Sequence, residues 1–458
     1  MNHHRNTRRP LAIALTLALM APGLALAETA KEKELEARIA QLEAQVQALL
    51  SQQQQQQGVI AQTQTQLDEV RTAQAAPAAK PGIQSTPILT AANPGGSFSY
   101  GGFIKLDAMV TDTSDGEIAD GSSGRLFYVP STIPVAPNGS TLGGTSDPYT
   151  DVHAQFSRFW LSADHVTDSG DKFKAYVEAD FFGGGSNALA GNETSTNTYA
   201  VTLRQAYVRW NNWLAGQTWS NFQDVAALPE AVDFVGPSEG TIFSRQAQVR
   251  YSKGAWSVSL ENPQTTITGY QTGARLANSG DNVLPDMTAR WTAKGDWGHF
   301  SVAGLLRQFK YLDSTETGAA VSVSGKFNLG KSDDLRYMVN AGSGIGRYMG
   351  FGLGSDTVLD GNGELQAQDG YGGFVAWRHA WSPKLRSNLI YSAAYLDNDV
   401  ALTGYGVTER ADSFHANLIY SPFPKLDVGA ELTWAQRALE DDREGDLKRL
   451  QTTVKYSF

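Results

Sequence analysis

The sequence predicts an all-β membrane protein, a transmembrane antiparallel β-barrel of about sixteen strands preceded by an N-terminal α-helical coiled coil. Three observations predict it. From Phe98 onward apolar and polar residues alternate in one segment after another, the period of a strand with one greasy and one wet face. Short and long connectors alternate between these segments. The last segment, LQTTVKYSF, keeps its alternation to the final residue: Leu450, Thr452, Val454, Tyr456 and Phe458 are apolar or carry a methyl group. A chain end normally frays. A strand that runs to its last atom implies a partner strand that holds it, as closure of a barrel provides.

The elements follow in chain order. Residues 1–27 read as a secretory signal peptide: Arg5, Arg8 and Arg9 are followed by a short apolar run from Leu11 to Met20 and by Ala25-Leu26-Ala27. That apolar run is shorter than the ~20 residues a spanning helix needs. No other long apolar run occurs, and there is no cysteine, which excludes a disulfide scaffold. Residues 28–72 carry a heptad seam through Leu35, Ile39, Leu42, Val46 and Leu49, whose register passes through the glutamine run to Leu67 and Val70. The expectation is an oligomeric coiled coil in the periplasm, with a low-complexity linker as the alternative. Residues 73–97 are rich in Ala, Pro and Gly and read as a tether. Residues 98–458 form the barrel.

Strands are expected near 98–110, 152–166, 172–182, 198–210, 213–223, 241–252, 255–262, 285–294, 298–311, 317–329, 333–344, 370–381, 384–397, 410–421, 425–437 and 447–458. Tight turns such as Asn211-Asn212 and Lys253-Gly254 alternate with longer loops at 111–151, 183–197, 224–240, 263–284 and 345–369. Outer-membrane barrels keep short turns on the periplasmic side and long loops outside. Trp210, Trp213, Trp256, Trp291, Trp377, Trp381 and Trp434 fall near strand ends, where indole rings favour the lipid interface.

The stretches GGSFSYGGFIKLDAMV (95–110), GQTWSNF (216–222) and LENP (260–263) resemble the DcaP-type outer-membrane porins. The likeness extends to the order of signal, coiled coil, linker and barrel, and so covers nearly the whole chain. It implies a homotrimer in the outer membrane of a Gram-negative bacterium that admits dicarboxylates and other anionic solutes, with no catalytic residues and no cofactor. It carries Lys105 over as a lumen residue, with Gln217 and Trp219 beside it. A terminal aromatic, here Phe458, resembles the signal by which the barrel-insertion machinery recognises such chains.

The residues independently suggest a basic lumen. With the apolar set outward, the inward set contains Lys105, Arg158, Lys174, Arg250, Arg290, Arg307, Arg336, Arg378, Arg386 and Arg437, with Arg449 and Lys455; the inward acids are fewer. Yet the chain carries a net charge of -10. Positive charge is therefore concentrated inside, where confined arginines favour anions. The alternative is that these arginines only pair with lumen acids and fix the barrel's shape. In 198–210, Arg204 and Arg209 have opposite parity, so one must lie outside the lipid band or the register must slip. The loop DVAALPEAVDFVGPSEG (224–240) is a candidate constriction, with Glu230 and Asp233 facing the basic wall; a solvated surface loop is the alternative. The acid-rich 112–121 stretch lacks calcium-loop spacing, and no metal site is expected.

Three function classes remain open on these grounds: a porin for passive diffusion of small anions, a tether in which the coiled coil grips the cell wall or a periplasmic partner, and a barrel enzyme. His153, His165, His299, His379 and His415 sit in no recognisable catalytic motif. Nothing points to nucleic acid.

Overall fold

The computed structural model describes residues 96–137, 147–182, 197 and 199–458. The signal peptide, coiled coil and most of the tether lie outside the described residues. The described residues are built around one antiparallel sheet that closes on itself. Its first strand, β1 (Gly96–Thr113), pairs along one edge with the last, β21 (Glu444–Ser457), in continuous register from Phe103↔Ser457 to Thr113↔Leu447. Along its other edge β1 pairs with β2 (Tyr149–His153) and β3 (Arg158–Val166), two halves of one strand interrupted at residues 154–157.

The wall continues through β4 (Lys172–Asp180), β5 (Thr202–Trp210), β6 (Trp213–Trp219), β7 (Arg245–Lys253) and β8 (Trp256–Glu261). A hairpin of β9 (Thr265–Thr268) and β10 (Arg275–Ser279) interrupts the wall, which resumes with β11 (Asp286–Gly295), β12 (Gly298–Tyr311), β13 (Ser314–Leu329) and β14 (Asp333–Ser343). A second hairpin, β15 (Thr357–Leu359) and β16 (Leu365–Ala367), precedes β17 (Asp369–Ser382), β18 (Leu385–Asp397), β19 (Thr408–Tyr420) and β20 (Leu426–Leu439), which leads to β21. With β2 and β3 counted as one, sixteen strands close the barrel among the described residues. The two hairpins join through a parallel β9–β15 pairing into a separate four-stranded sheet at the loop end.

The alternation places side chains as the sequence implies. On β1, Ile104, Leu106 and Val110 are exposed outward while Asp107, Met109 and Thr111 between them are buried; on β21, Leu450, Val454 and Tyr456 are exposed around buried Arg449, Gln451 and Thr453. Tight turns collect at one end, where Asn211 (φ 49°) and Gly254 (φ 60°) take the left-handed conformation that two-residue hairpins need. Long loops collect at the other. Two short connections also occur at the loop end, residues 312–313 between β12 and β13 and residues 440–443 between β20 and β21.

Wall height is uneven. β3, β4, β5 and β7 have nine residues, β6 seven and β8 six, whereas β12, β17, β20 and β21 have fourteen and β13 sixteen. A spanning strand needs about 9–11.

The first strand starts at Gly96, two residues before the expected boundary, and the chain end packs onto it. The Phe458 amide donates to the Gly102 carbonyl at 3.1 Å. A Cβ on Gly102 would lie 2.2 Å from the Arg158 carbonyl and 3.0 Å from the Phe458 ring, so only glycine lets the neighbouring strand and the terminus approach together.

The parity conflict in β5 is resolved by a bulge. Glu178 pairs with Gln205 but Ala179 with Leu203, which leaves Arg204 as an extra residue. Arg204 turns to inward-facing Glu178 and Asp180, while Arg209 pairs with inward-facing Lys174. The register slips, and both arginines point inward.

Candidate functional site in the lumen

The inner wall is polar except for a buried apolar patch on β12–β19, including Leu305, Met338, Phe374 and Ile390, on which the segment between β6 and β7 is laid through Phe222, Ala227 and Ile242. Most of residues 220–244 are buried, and their contacts cross from β6 and β7 to strands on the other side of the barrel. Asp224 accepts from His299 Nε2 and Ser324 Oγ, both at 2.8 Å. Burial pushes the Asp224 carboxyl up, but the His299 hydrogen bond and the Arg290 charge outweigh it and hold the group below the usual carboxylate range. Arg336 donates to the Leu228 carbonyl at 2.5 Å, and Asn417 to that of Glu230 at 2.9 Å. Glu230 receives Arg386 at 2.6 and 2.8 Å and Arg378 at 3.4 Å. These guanidinium groups overcome its burial and keep its pKa low.

The two remaining acids of this loop behave differently. Asp233 accepts from its own loop's Val235 and Gly236 amides at 3.0 Å and from the Tyr128 amide at 2.8 Å. Glu239 is buried and accepts from Ser413 Oγ. Burial raises both, with the Glu431 charge adding to the rise in Asp233. Glu230 thus meets two arginines of the facing wall, whereas Asp233 is enclosed by backbone amides. An acid inside a low-dielectric lumen is stable only where donors or cations reach it.

The inward cations sort by their partners. Arg307 is 4% exposed and bonds Asp356 at 2.6 Å, Asp286 at 3.2 Å and the carbonyls of Gly344 and Gln264 at 2.6 Å, fastening the loops on either side of it. Arg437 donates to the Ser131 and Ile133 carbonyls at 3.0 and 3.2 Å, and so holds the first loop. Arg336 pairs with Asp334 at 2.8 Å, and Lys105 with Asp107. Lys174 meets Asp164 at 3.3 Å. Arg158 and Arg290 stand 3.9 Å from Glu178 and Asp224, and the Nε of each is buried without a partner. Arg250 bonds only Gln248 Oε1 and the Trp219 carbonyl. Sequence reasoning had not singled out Lys326, which pairs in register with Arg336 on the lumen face.

Near the tight-turn end, three cross-strand pairs set like charges side by side: Lys105↔Lys455, Lys174↔Arg209 and Lys326↔Arg336. Like charges directly opposite one another are destabilising in a sheet. Among the described residues, Arg209 and Lys326 have neither an ion-pair nor a hydrogen-bond partner.

One constellation escaped sequence reasoning because its members are dispersed. Ser413 Oγ lies 3.0 Å from His415 Nε2, and His415 Nδ1 lies 3.2 Å from Glu431 Oε1, the connectivity of a nucleophile, base and orienting acid. All three are at most 1% exposed, the serine also bonds Glu239, and Glu431 accepts the Val232 amide at 2.8 Å. The group is the seat of the inserted loop. Among the described residues no three His, Cys, Asp or Glu side chains are arranged to hold a metal ion.

The family model of the DcaP outer membrane protein matches residues 20–458. The chain belongs to the DcaP family. Among solved structures, it is similar to the outer membrane channel DcaP of Acinetobacter baumannii, at 27% identity over 80% of this chain and 98% of that one, with a TM-score of 0.64. An anion-selective porin from Comamonas acidovorans shares the fold at 10% identity, over 79% of this chain and all of that one, with a TM-score of 0.50. No curated protein sequence matches the chain. As a DcaP family barrel the protein is an outer-membrane porin, and the tight turns of this DcaP fold belong on the periplasmic side.

Proposed function

We propose that this porin passes small anionic solutes, dicarboxylates among them, by passive diffusion, and that the selecting groups are the cations at the periplasmic end of its lumen. The observation that carries the reading is the set of three like-charge cross-strand pairs, in which Lys105, Lys455, Lys174 and Arg336 each meet one acid while Arg209 and Lys326 meet none among the described residues. A wall that keeps such repulsion gains nothing in stability from it, whereas a ring of fixed positive charge in a narrow pore concentrates anions. Arg158, Arg250 and Arg290 extend the field. Arg307, Arg378, Arg386 and Arg437 act chiefly by holding loops, and Glu230 anchors the constriction through Arg386. Measurement of reversal potential in asymmetric KCl across a planar bilayer tests the proposal: chloride preference supports it, and cation preference ends it.

A homotrimer accords with the uneven wall. Strands β6 and β8 are too short to span a bilayer alone, and outward positions on this side carry Val177, Leu203, Val249 and Leu260. The tall side adds aromatic rings toward its loop end, with Tyr371 and Tyr395 stacked at 5.2 Å. A neighbouring copy against the low side would replace lipid there. The coiled coil at 28–72 would join the trimer in the periplasm and meet any cell-wall partner. Deletion of 28–90 should then leave a barrel that inserts and conducts. Phe458, with its ring at the lipid boundary, is proposed as the insertion signal, and its removal should lower assembly far more than the loss of one aromatic contact would.

A further inference from the structure

One sector inside the barrel near the loop end is aromatic. Phe127 and Phe156, each 1% exposed, form its base, with Phe156 stacked on Phe234 at 4.3 Å. Above them Trp219, Phe243 and Phe351 remain partly exposed; Phe243 lies 4.8 Å from Trp219 edge to face and 4.6 Å from Phe351. Packing needs explain the base. They do not explain why the uncovered rings are accompanied by arginines.

Arg204 sits 5.4 Å from the Phe234 ring, but its guanidinium is committed to Glu178 at 2.8 Å and Asp180 at 2.5 Å. Arg245 sits 4.8 Å from the Trp219 ring and has no carboxylate within ion-pair distance among the described residues; its Nη1 is buried without a hydrogen-bond partner. The charged neighbours of Arg245 are Arg204, Arg158, Glu178 and Asp180. Among the described residues the cluster thus holds one more cation than it has anions, and the uncommitted hydrogen-bonding edge is on Arg245.

We propose that Arg245, Trp219, Phe243 and Phe351 form a subsite for aromatic monocarboxylates. The carboxylate takes the free Nη1 of Arg245, and the ring packs on Phe243 and Trp219. The charge balance fits a single carboxylate. Edge-to-face contact with the indole and phenyl rings favours an aryl group over a saturated ring of equal size, because it adds quadrupole attraction to the shared burial of apolar area. The subsite rests on the reading of the barrel as an anion-favouring pore, which it deepens by naming a preferred class of solute.

Full-length protein in a planar bilayer tests it, with benzoate, cyclohexanecarboxylate and acetate as probes and single-channel current interruptions as the readout. Benzoate should dwell about tenfold longer than cyclohexanecarboxylate, and acetate should produce no resolved interruptions. Trp219→Leu should bring the two ring acids together. Arg245→Gln should shorten both dwell times while chloride preference persists, since the periplasmic belt is untouched. If Trp219→Leu fails to assemble, Phe243→Leu gives the same comparison. Equal dwell times for the two ring acids in the unaltered channel overturn the proposal, as does benzoate dwell that survives both substitutions. A channel without chloride preference that still holds benzoate removes the anion-pore reading and leaves the subsite standing.

Discussion

The inward cations of β17–β20 and those of β4–β13 have the same chemistry and opposite circumstances. On the first side, Arg378 and Arg386 close on Glu230, Arg386 also reaches Asp427 at 3.2 Å, and Arg437 holds two carbonyls of the first loop. On the other side Arg209 and Lys326 have no partner among the described residues, and Arg250 meets no acid. The difference arises from where the loops land. The segment between β6 and β7 crosses the lumen and commits Glu230 to Arg378 and Arg386, while its Asp224 lands on His299 and Ser324 with Arg290 at 3.9 Å; among the described residues none of its acids reaches Arg209, Arg250 or Lys326. Side-chain type identifies a cation, and partner geometry decides whether it acts on a solute or on a loop.

The largest effect expected from this contrast falls on Arg307, which lies on β12 yet behaves as a loop fastener. Arg307→Gln leaves Asp286 and Asp356 buried with a lost counter-charge, a change that costs about 3–5 kcal/mol. The expected outcome is poor assembly and a lowered heat-unfolding transition on gels, with little folded channel left to conduct. A variant that assembles normally and changes only ion preference would return Arg307 to the solute-facing group.

The next comparison separates the two walls by function. The triple change Arg209→Gln, Arg250→Gln and Lys326→Gln should shift the reversal potential toward cations without loss of thermal stability, because these groups hold no acidic partner. Arg378→Gln with Arg386→Gln should instead release Glu230, with a stability loss of about 2 kcal/mol and noisier, larger currents as the inserted loop loosens. Similar selectivity shifts from both sets would erase the distinction between the walls.

The barrel was legible in the sequence because a closed wall repeats one local rule. The alternation that assigns Ile104 outward and Asp107 inward recurs along the barrel wall apart from the bulge at Arg204, and the expected span 298–311 is the observed β12. The inward direction of Arg158, Arg290 and Arg386 followed from the same parity. Their roles did not, because Glu230 lies 156 residues from Arg386 and reaches it only through the fold of the loop. The bulge at Arg204 was visible only as a conflict of parity. Lys326 was overlooked because GKFNLG contains one cation among residues that read as a strand end. Ser413, His415 and Glu431 show alternation and nothing more until β19 and β20 pair.

The smallest expected effect concerns the acids of the inserted loop, and it distinguishes them by sign. Glu230 has a folded pKa below that of an unfolded glutamate, ~4.3. Its contribution to stability is therefore present above that value and is lost as pH falls through the lower folded pKa. Glu239 is raised, so its folded form binds a proton more readily than its unfolded form, and its ionisation weakens the fold as pH rises from ~4.3 through the raised value. Glu239→Gln removes the charge and keeps an oxygen for Ser413. The variant should unfold at an equal or higher temperature at pH 7, by about 1 kcal/mol, and its transition should vary less between pH 5 and pH 7 than that of the parent chain. Glu230→Gln should do the reverse, with lower stability at pH 7 and a gap that narrows toward pH 3. A Glu239→Gln barrel that is less stable at pH 7 and unchanged in its pH slope would mean that the carboxylate is ionised in its seat, held by His415, and that both acids anchor the loop through charge.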